Sequence, residues 1–100
     1  MRRILTALTI LSMAAPALAE TQKEREKRCA AQGEIVSQAV EMRKKFRSEA
    51  KAKTAILETI DEGMAPAVPF LVGFVYTLNR KDLKQDVPAA FIEQCNAYKP

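Results

Sequence analysis

The stretch MAPAVPFLVGFVYTL, residues 64–78, is the only long apolar run outside the first twenty residues. A transmembrane helix needs about 20 consecutive apolar residues, whereas this run is shorter, contains two prolines and a glycine, and has charged residues on both sides. Because proline is tolerated in the first turn of a helix, the run predicts a helix that begins at Ala67 or Pro69 and ends near Asn79. Its apolar residues surround the whole helix, which is typical of a buried element.

Residues 1–19 have the pattern of a secretory leader. A basic start at residues 1–3 precedes an apolar segment at residues 4–13, and residues 17–19 end in the small-x-small pattern that signal peptidase requires. We therefore expect cleavage after Ala19, export to a bacterial periplasm, and no transmembrane anchor after cleavage. The alternative is a retained membrane anchor, against which the short apolar segment and the clear cleavage pattern both argue.

Removal of the leader leaves residues 20–100, which we expect to form a single domain. A chain this short buries only about 60% of its unfolded surface, so its stability benefits from a covalent link. Its two cysteines, Cys29 and Cys95, predict one disulfide in an oxidising compartment. The alternative, a redox pair or two free thiols, is less consistent with cysteines so far apart, since redox pairs usually follow a Cys-x-x-Cys pattern.

Apolar periodicity predicts two helices before the apolar run. The first spans about 22–46 and begins at a capping box formed by Thr21 and Glu24. Ser48 is the predicted N-cap of a second helix at about 49–61. One long helix that bends at Ser48 is the alternative.

The remaining elements complete an all-α bundle of about four helices. Gly63 is the predicted C-cap of the second helix, a short helical turn is expected at 81–84, and Asp86 is the predicted N-cap of the last helix. The disulfide would tie the first helix to the last, with the third helix in the middle. Gly33 and Gly73 are expected at positions where a neighbouring helix packs closely.

The residues that enzymes commonly use are missing. The chain contains no histidine, which removes the usual general base and the commonest metal ligand. A Cys29–Cys95 disulfide leaves no thiolate for catalysis or zinc binding. Three carboxylates, Glu58, Asp61 and Glu62, lie at a predicted helix end, where solvation explains them. We expect a non-enzymatic protein without catalytic residues, metal or cofactor.

One basic segment is a candidate binding feature. Six of the eleven residues from 43 to 53 are Lys or Arg. If the first helix continues, Arg43, Arg47 and Lys51 form a ridge of like charges that repel one another. An anionic partner, such as lipid headgroups, lipopolysaccharide phosphates or an acidic protein face, would relieve that repulsion. The alternative is a solvated face balanced by neighbouring glutamates.

Nucleic acid is not an expected partner. The leader holds two of the 16 basic residues and none of the 12 acidic ones, so the mature chain would carry a net charge of only +2. Aromatic residues are not interleaved with the basic ones, as they are in surfaces on which bases stack.

Two functions are consistent with this composition. The first is a periplasmic interaction module that presents the basic ridge, or the aromatic residues Phe70 and Phe74, to an envelope partner. The second is a holdase-like stress chaperone whose apolar third helix becomes exposed on acidification or reduction. A helix this apolar in so short a chain also favours a homodimer that buries the excess.

The layout resembles small exported helical proteins of proteobacteria that carry one cysteine near each end of the mature chain. The resemblance is carried by Cys29, the step between helices at 43–48, the stretch 75–78, and the segment 86–95 with Tyr98. It implies a helical fold without an assigned activity, so it transfers no catalytic residue. In size and architecture the chain is also similar to small periplasmic acid-stress chaperones that have one disulfide.

Overall fold

A computed structural model of the protein describes residues 20–98 and contains four α-helices and two 3-10 helices. The α-helices are α1 (Gln22–Lys44), α2 (Glu49–Leu57), α3 (Val68–Thr77) and α4 (Val87–Ala97), and the 3-10 helices span Glu62–Ala67 and Arg80–Lys84. Residues 20–98 form no strand. The predicted all-α bundle is therefore confirmed, whereas the predicted leader, residues 1–19, lies outside the described residues.

Capping residues set the ends of the first two helices. At the start of α1 the N–H of Glu24 donates to Thr21 Oγ1 at 3.0 Å, and the N–H of Thr21 donates to Glu24 Oε1 at 3.3 Å, which is the predicted capping box. The helix ends at Lys44, and the N–H of Lys51 donates to Ser48 Oγ at 3.2 Å. Ser48 therefore caps a separate α2, and the alternative of one bent helix is wrong.

The second helix is shorter than predicted. It ends at Leu57, and Gly63 is not its C-cap, because Gly63 lies in the 3-10 helix Glu62–Ala67 and does not adopt a positive φ. The reason lies at Thr59, whose N–H donates to the carbonyl of Ile56 at 3.0 Å. Its hydroxyl lies 3.1 Å both from that carbonyl and from Gln38 Oε1, and so donates to one or the other. This local bonding tightens the chain and competes with continued helix.

The first helix, rather than the third, is the element against which the others pack. α1 contacts α2, α3 and α4, while α3 also rests on α2. Together they bury one apolar core, formed by Ile35, Val36, Ala39, Val40, Ala52, Ile56, Val68, Leu71, Val72, Val75, Leu83 and Val87. The expected arrangement, with α3 in the middle, is therefore wrong.

Only one side of α3 is buried. Val68, Leu71, Val72 and Val75 recur at helical spacing and face the core, whereas Phe70 on the other side is 78% exposed. The prediction of a helix buried all round is wrong, because α1 and α2 cover a single side and α4 packs chiefly on α1.

The predicted disulfide is confirmed. Cys29 of α1 is bonded to Cys95 of α4, with their Cα atoms 5.7 Å apart, and Cys29 is fully buried. The bond joins the first helix to the last, as the spacing of the cysteines predicts. In the part of the chain that the structure describes, no helix has the length and apolar character needed to cross a bilayer.

Candidate interaction surfaces

The exposed aromatic side chains of α3 and the C-terminal region lie on one surface. Phe70 and Phe74, the two predicted docking residues, are one turn apart on α3 and are 78% and 38% exposed. The ring of Phe91 on α4 lies 6.4 Å from that of Phe74, centroid to centroid, and Tyr98 is 64% exposed. We call Phe70, Phe74, Phe91 and Tyr98 the aromatic face.

The disulfide explains how α4 contributes to this face. It holds Cys95 against α1, and Phe91 precedes Cys95 by four residues, which places both on the same side of α4. α3 is held on α1 through its own buried side. Sequence reasoning did not connect Phe91 and Tyr98 with Phe70 and Phe74. The spacing of Phe91 from Cys95 was the one signal that pointed to this arrangement.

Two neighbouring grooves form a trough along the aromatic face. Their volumes are about 310 and 430 Å³, and both are lined by Phe91 and Gln94. The lining of the first includes Arg28, and that of the second includes Asp82 and Asp86. The trough therefore joins apolar side chains of α3 and α4, with a cation in the first groove at one end and two carboxylates in the second groove at the other.

The cation at one end of the trough already has a partner within the chain. The Nε and Nη2 atoms of Arg28 donate to Glu20 Oε2 and Oε1 at 2.8 and 3.0 Å. These hydrogen bonds hold the pKa of Glu20 below its ordinary value. Exposed ion pairs of this kind contribute little to stability.

The predicted basic ridge is not continuous. Arg43, Arg47 and Lys51 would share one row only if α1 continued through Ser48, and it ends before that residue. Arg43 is also engaged within the fold, since its Nη1 donates to the carbonyl of Val75 at 2.6 Å. Binding of an anionic partner by these residues stays a prediction.

Tertiary structure instead gathers cations from two separate segments. Arg47 and Lys51 line a groove of about 530 Å³ beside the turn between α1 and α2. Lys44 lines another groove together with basic residues of the second 3-10 helix. We call the combined set the basic tip: Lys44, Lys45, Arg47, Lys51, Arg80, Lys81 and Lys84. None of the seven lies within ion-pair distance of a carboxylate in residues 20–98.

The second 3-10 helix was missed as a part of this surface. Its sequence, RKDLK, is dense in basic residues, which was the available signal. Nothing in the sequence placed it beside the end of α1. The contact is direct, because the guanidinium of Arg80 lies 4.3 Å from the ring centroid of Phe46 and its Nη1 lies 3.5 Å from the carbonyl of Arg43.

Phe46 occupies an unusual position within the basic tip. Its N–H donates to the carbonyl of Arg43 and that of Arg47 donates to the carbonyl of Met42, both at 3.0 Å, so the end of α1 is a Schellman motif. Phe46 has a φ of 61°, and glycine is the usual residue at this position. For an L-residue the left-handed conformation costs roughly 1–2 kcal/mol. The Phe46 side chain is nevertheless 81% exposed.

Comparison of the chain with models of protein families, with curated proteins and with solved structures finds no significant match. The resemblance to small exported helical proteins therefore stays a prediction. Among residues 20–98, no three side chains of the types that ligate metals lie close enough together to hold an ion.

Proposed function

We propose that the protein is a small, exported, non-enzymatic interaction module that binds an amphipathic helix of a periplasmic partner protein along the aromatic face. The observation that carries the proposal is the 78% exposure of Phe70 beside Leu71, which is only 3% exposed. Large contiguous apolar surface on a folded domain is typical of an interaction site. Phe70 is held on a packed helix, so it is available for contact without unfolding.

The shape of the trough favours a helix as the ligand. An amphipathic helix fills a hydrophobic groove with side chains that are spaced by about one turn. Phe70 and Phe74 are spaced by one turn along one wall, and Phe91 lies on the other. Arg28 at one end and the two aspartates at the other favour a helix with an acidic residue near Arg28 and a basic residue at its opposite end.

The composition of the chain and its disulfide support the proposal of an exported protein with a non-enzymatic role. Residues 1–19 have the pattern of a leader, and a disulfide such as Cys29–Cys95 persists in oxidising compartments. The chain has no histidine, and both of its cysteines are bonded to each other. An interaction role requires neither group.

The test begins with photo-crosslinking in the cell from a benzoylphenylalanine placed at position 70. The matched control carries the same probe at Lys27, an exposed α1 residue that lines neither part of the trough. We expect one dominant crosslinked segment from position 70, with apolar residues at helical spacing. A synthetic peptide of that segment is then titrated into the oxidised protein. Phe70→Ala should weaken its binding by about tenfold or more, as truncation of an aromatic hot spot does.

Several outcomes would contradict this function. Crosslinks only to a second copy would make the aromatic face a homodimer interface. Many unrelated chains, captured only under acid or reducing stress, would favour the holdase. The same products from Lys27 would show that the capture is unspecific. Because Phe70 is exposed, its replacement by alanine should leave thermal unfolding unchanged, which separates loss of binding from loss of fold.

A further inference from the structure

The basic tip shares no residue with the aromatic face. Within the tip, the left-handed backbone conformation of Phe46 is not accounted for by packing of its side chain. In the Schellman motif, glycine adopts the required left-handed conformation without strain. The Phe46 ring contributes little to packing, since it is 81% exposed and its close polar neighbour is the guanidinium of Arg80 at 4.3 Å. Strained residues that the fold does not need are often found at functional sites.

The charges around Phe46 are available to an outside partner. The seven cations of the basic tip come from two segments that meet at the end of α1, and none is paired with a carboxylate in residues 20–98. Arg43 is not among them, because it is half-buried and bonds to the carbonyl of Val75 at 2.6 Å. Arg80 also lies 3.5 Å from a carbonyl, that of Arg43, but it is exposed. Clusters of exposed Lys and Arg are attracted to the anionic headgroups of a membrane surface.

An exposed aromatic ring among cations favours a bilayer, rather than a soluble anion, as the partner of the basic tip. Lipid phosphates and free phosphate both satisfy the positive charge, but only a bilayer offers the Phe46 ring an apolar region. Aromatic side chains are enriched at the membrane–water interface, and peripheral proteins combine basic and aromatic residues on one surface.

We propose that the basic tip attaches the protein to an anionic phospholipid bilayer, with the Phe46 ring inserted at the headgroup boundary and the surrounding cations on lipid phosphates. This attachment is independent of the partner bound at the aromatic face. Phe70 and Phe74 are not among the residues of the basic tip, so the protein partner and the membrane would contact different side chains.

The first experiment uses tryptophan fluorescence, because the chain contains no tryptophan of its own. Phe46→Trp in the oxidised protein is mixed with vesicles of equal parts phosphatidylglycerol and phosphatidylcholine, and separately with vesicles of phosphatidylcholine alone. We expect a blue shift with the anionic vesicles only, which high salt reverses by screening the charges. Phe70→Trp is the matched control and should not shift.

The second experiment measures vesicle binding by flotation. Phe46→Gly suits the turn, so it retains the fold, and it should bind anionic vesicles about tenfold more weakly because the inserted ring is lost. Replacement of both Lys81 and Lys84 by glutamine should also weaken binding and reduce its dependence on salt. Phe70→Ala should bind as the unmodified protein does.

Four results would each overturn the proposal. The first is undiminished binding of Phe46→Gly to anionic vesicles, and the second is a blue shift of Phe70→Trp in place of Phe46→Trp. Equal binding to phosphatidylcholine vesicles would remove the role of charge. Displacement from vesicles by inorganic phosphate, beyond the effect of sodium chloride at equal ionic strength, would identify a site for a soluble anion.

Discussion

Gly33 of α1 lies directly against Ile92 of α4. A Cβ built on Gly33 would fall 2.5 Å from both Cδ1 and Cγ1 of Ile92, closer than two carbon atoms normally approach. Gly33 follows Cys29 by one helical turn, so the close contact and the disulfide together hold α4 against the same part of α1. The missing side chain at position 33 leaves the space that the Ile92 side chain occupies.

Replacing Gly33 by alanine should therefore destabilise the protein. Crowding of a packed interface costs typically 1–3 kcal/mol, which exceeds the gain of up to about 1 kcal/mol that alanine brings to a helix interior. Gly73 is the matched control, because a Cβ there would meet only Glu49 Oε2 at 3.8 Å. The expectation of close packing at Gly73 is thus wrong, and Gly73→Ala should be stabilising. Urea unfolding should show a lower free energy of unfolding for Gly33→Ala and a higher one for Gly73→Ala. Equal changes in the two variants would contradict both predictions.

The backbone at Phe46 gives a second prediction. Phe46→Gly removes the strain of a positive φ but also loses the Arg80 contact and increases the entropy of the unfolded chain. We expect its free energy of unfolding to lie within about 1 kcal/mol of the original.

Phe46→Val is the matched control for this position. A β-branched residue is a strong outlier at positive φ, so valine should destabilise by roughly 1–2 kcal/mol relative to phenylalanine. Thermal or urea unfolding gives the order of stability of the proteins with phenylalanine, glycine and valine at position 46. Valine as stable as glycine would show that the turn does not impose the left-handed conformation.

Removal of the disulfide should cost much of the stability of so small a domain. Cys29 and Cys95 close a loop of 67 residues, 66 apart in sequence, for which the chain-entropy model gives about 4 kcal/mol. Cys29→Ser combined with Cys95→Ser should lower the urea midpoint, and added reductant should then have no further effect. Reductant should lower the midpoint of the unmodified protein to a similar value. A midpoint unaffected by either change would refute the role of the bond.

The hydroxyl of Tyr76 links α3 to the turn between α1 and α2. We therefore expect the stability of the protein to fall at alkaline pH. It donates to the carbonyl of Arg47 at 2.8 Å. Burial raises the pKa of Tyr76, against the opposing effect of Arg43, while Glu49 raises it further. Since the folded-state pKa is raised, protonated Tyr76 contributes to the free energy of unfolding. That contribution is fully present below the ordinary pKa of about 10 and is lost as pH rises through the raised pKa.

Tyr76→Phe isolates that contribution. It should destabilise by about 1 kcal/mol near neutral pH through loss of the hydrogen bond. The difference from the unmodified protein should shrink above about pH 10, where the unfolded tyrosine ionises. Urea unfolding of both proteins across this range measures the difference. A difference that does not change with pH would contradict the shifted ionisation.

Local sequence features predicted most of the secondary structure. Thr21, Ser48 and Asp86 cap helices as expected, because each cap is made by a side chain and a backbone N–H three residues apart. The predicted end of α2 failed because the hydrogen bond from the Thr59 N–H to the carbonyl of Ile56 stops the helix before Gly63 is reached. The free-energy difference between such a turn and a continued helix is small, so helix propensities of the residues do not predict which one forms.

The surfaces were predicted only in part. Phe70 and Phe74 were identified because they are aromatic and lie on one helix, but their association with Phe91 requires knowledge of how α4 packs. Likewise, Arg47 and Lys51 were identified from local charge density, whereas Arg80 joins them from a segment about thirty residues away. The spacing of Phe91 from Cys95 indicates only the side of α4 on which Phe91 lies, and neither combination follows from spacing alone.

The amino-acid sequence by itself determined the helical class, three helix N-caps and the single possible pairing of Cys29 with Cys95. These depend on neighbouring residues, or on there being only two cysteines. The tertiary structure alone decided that α1 is the central helix, that one side of α3 stays exposed, and that two basic segments meet at Phe46. Those features depend on which apolar faces bury one another, and burial is a property of the packed chain as a whole.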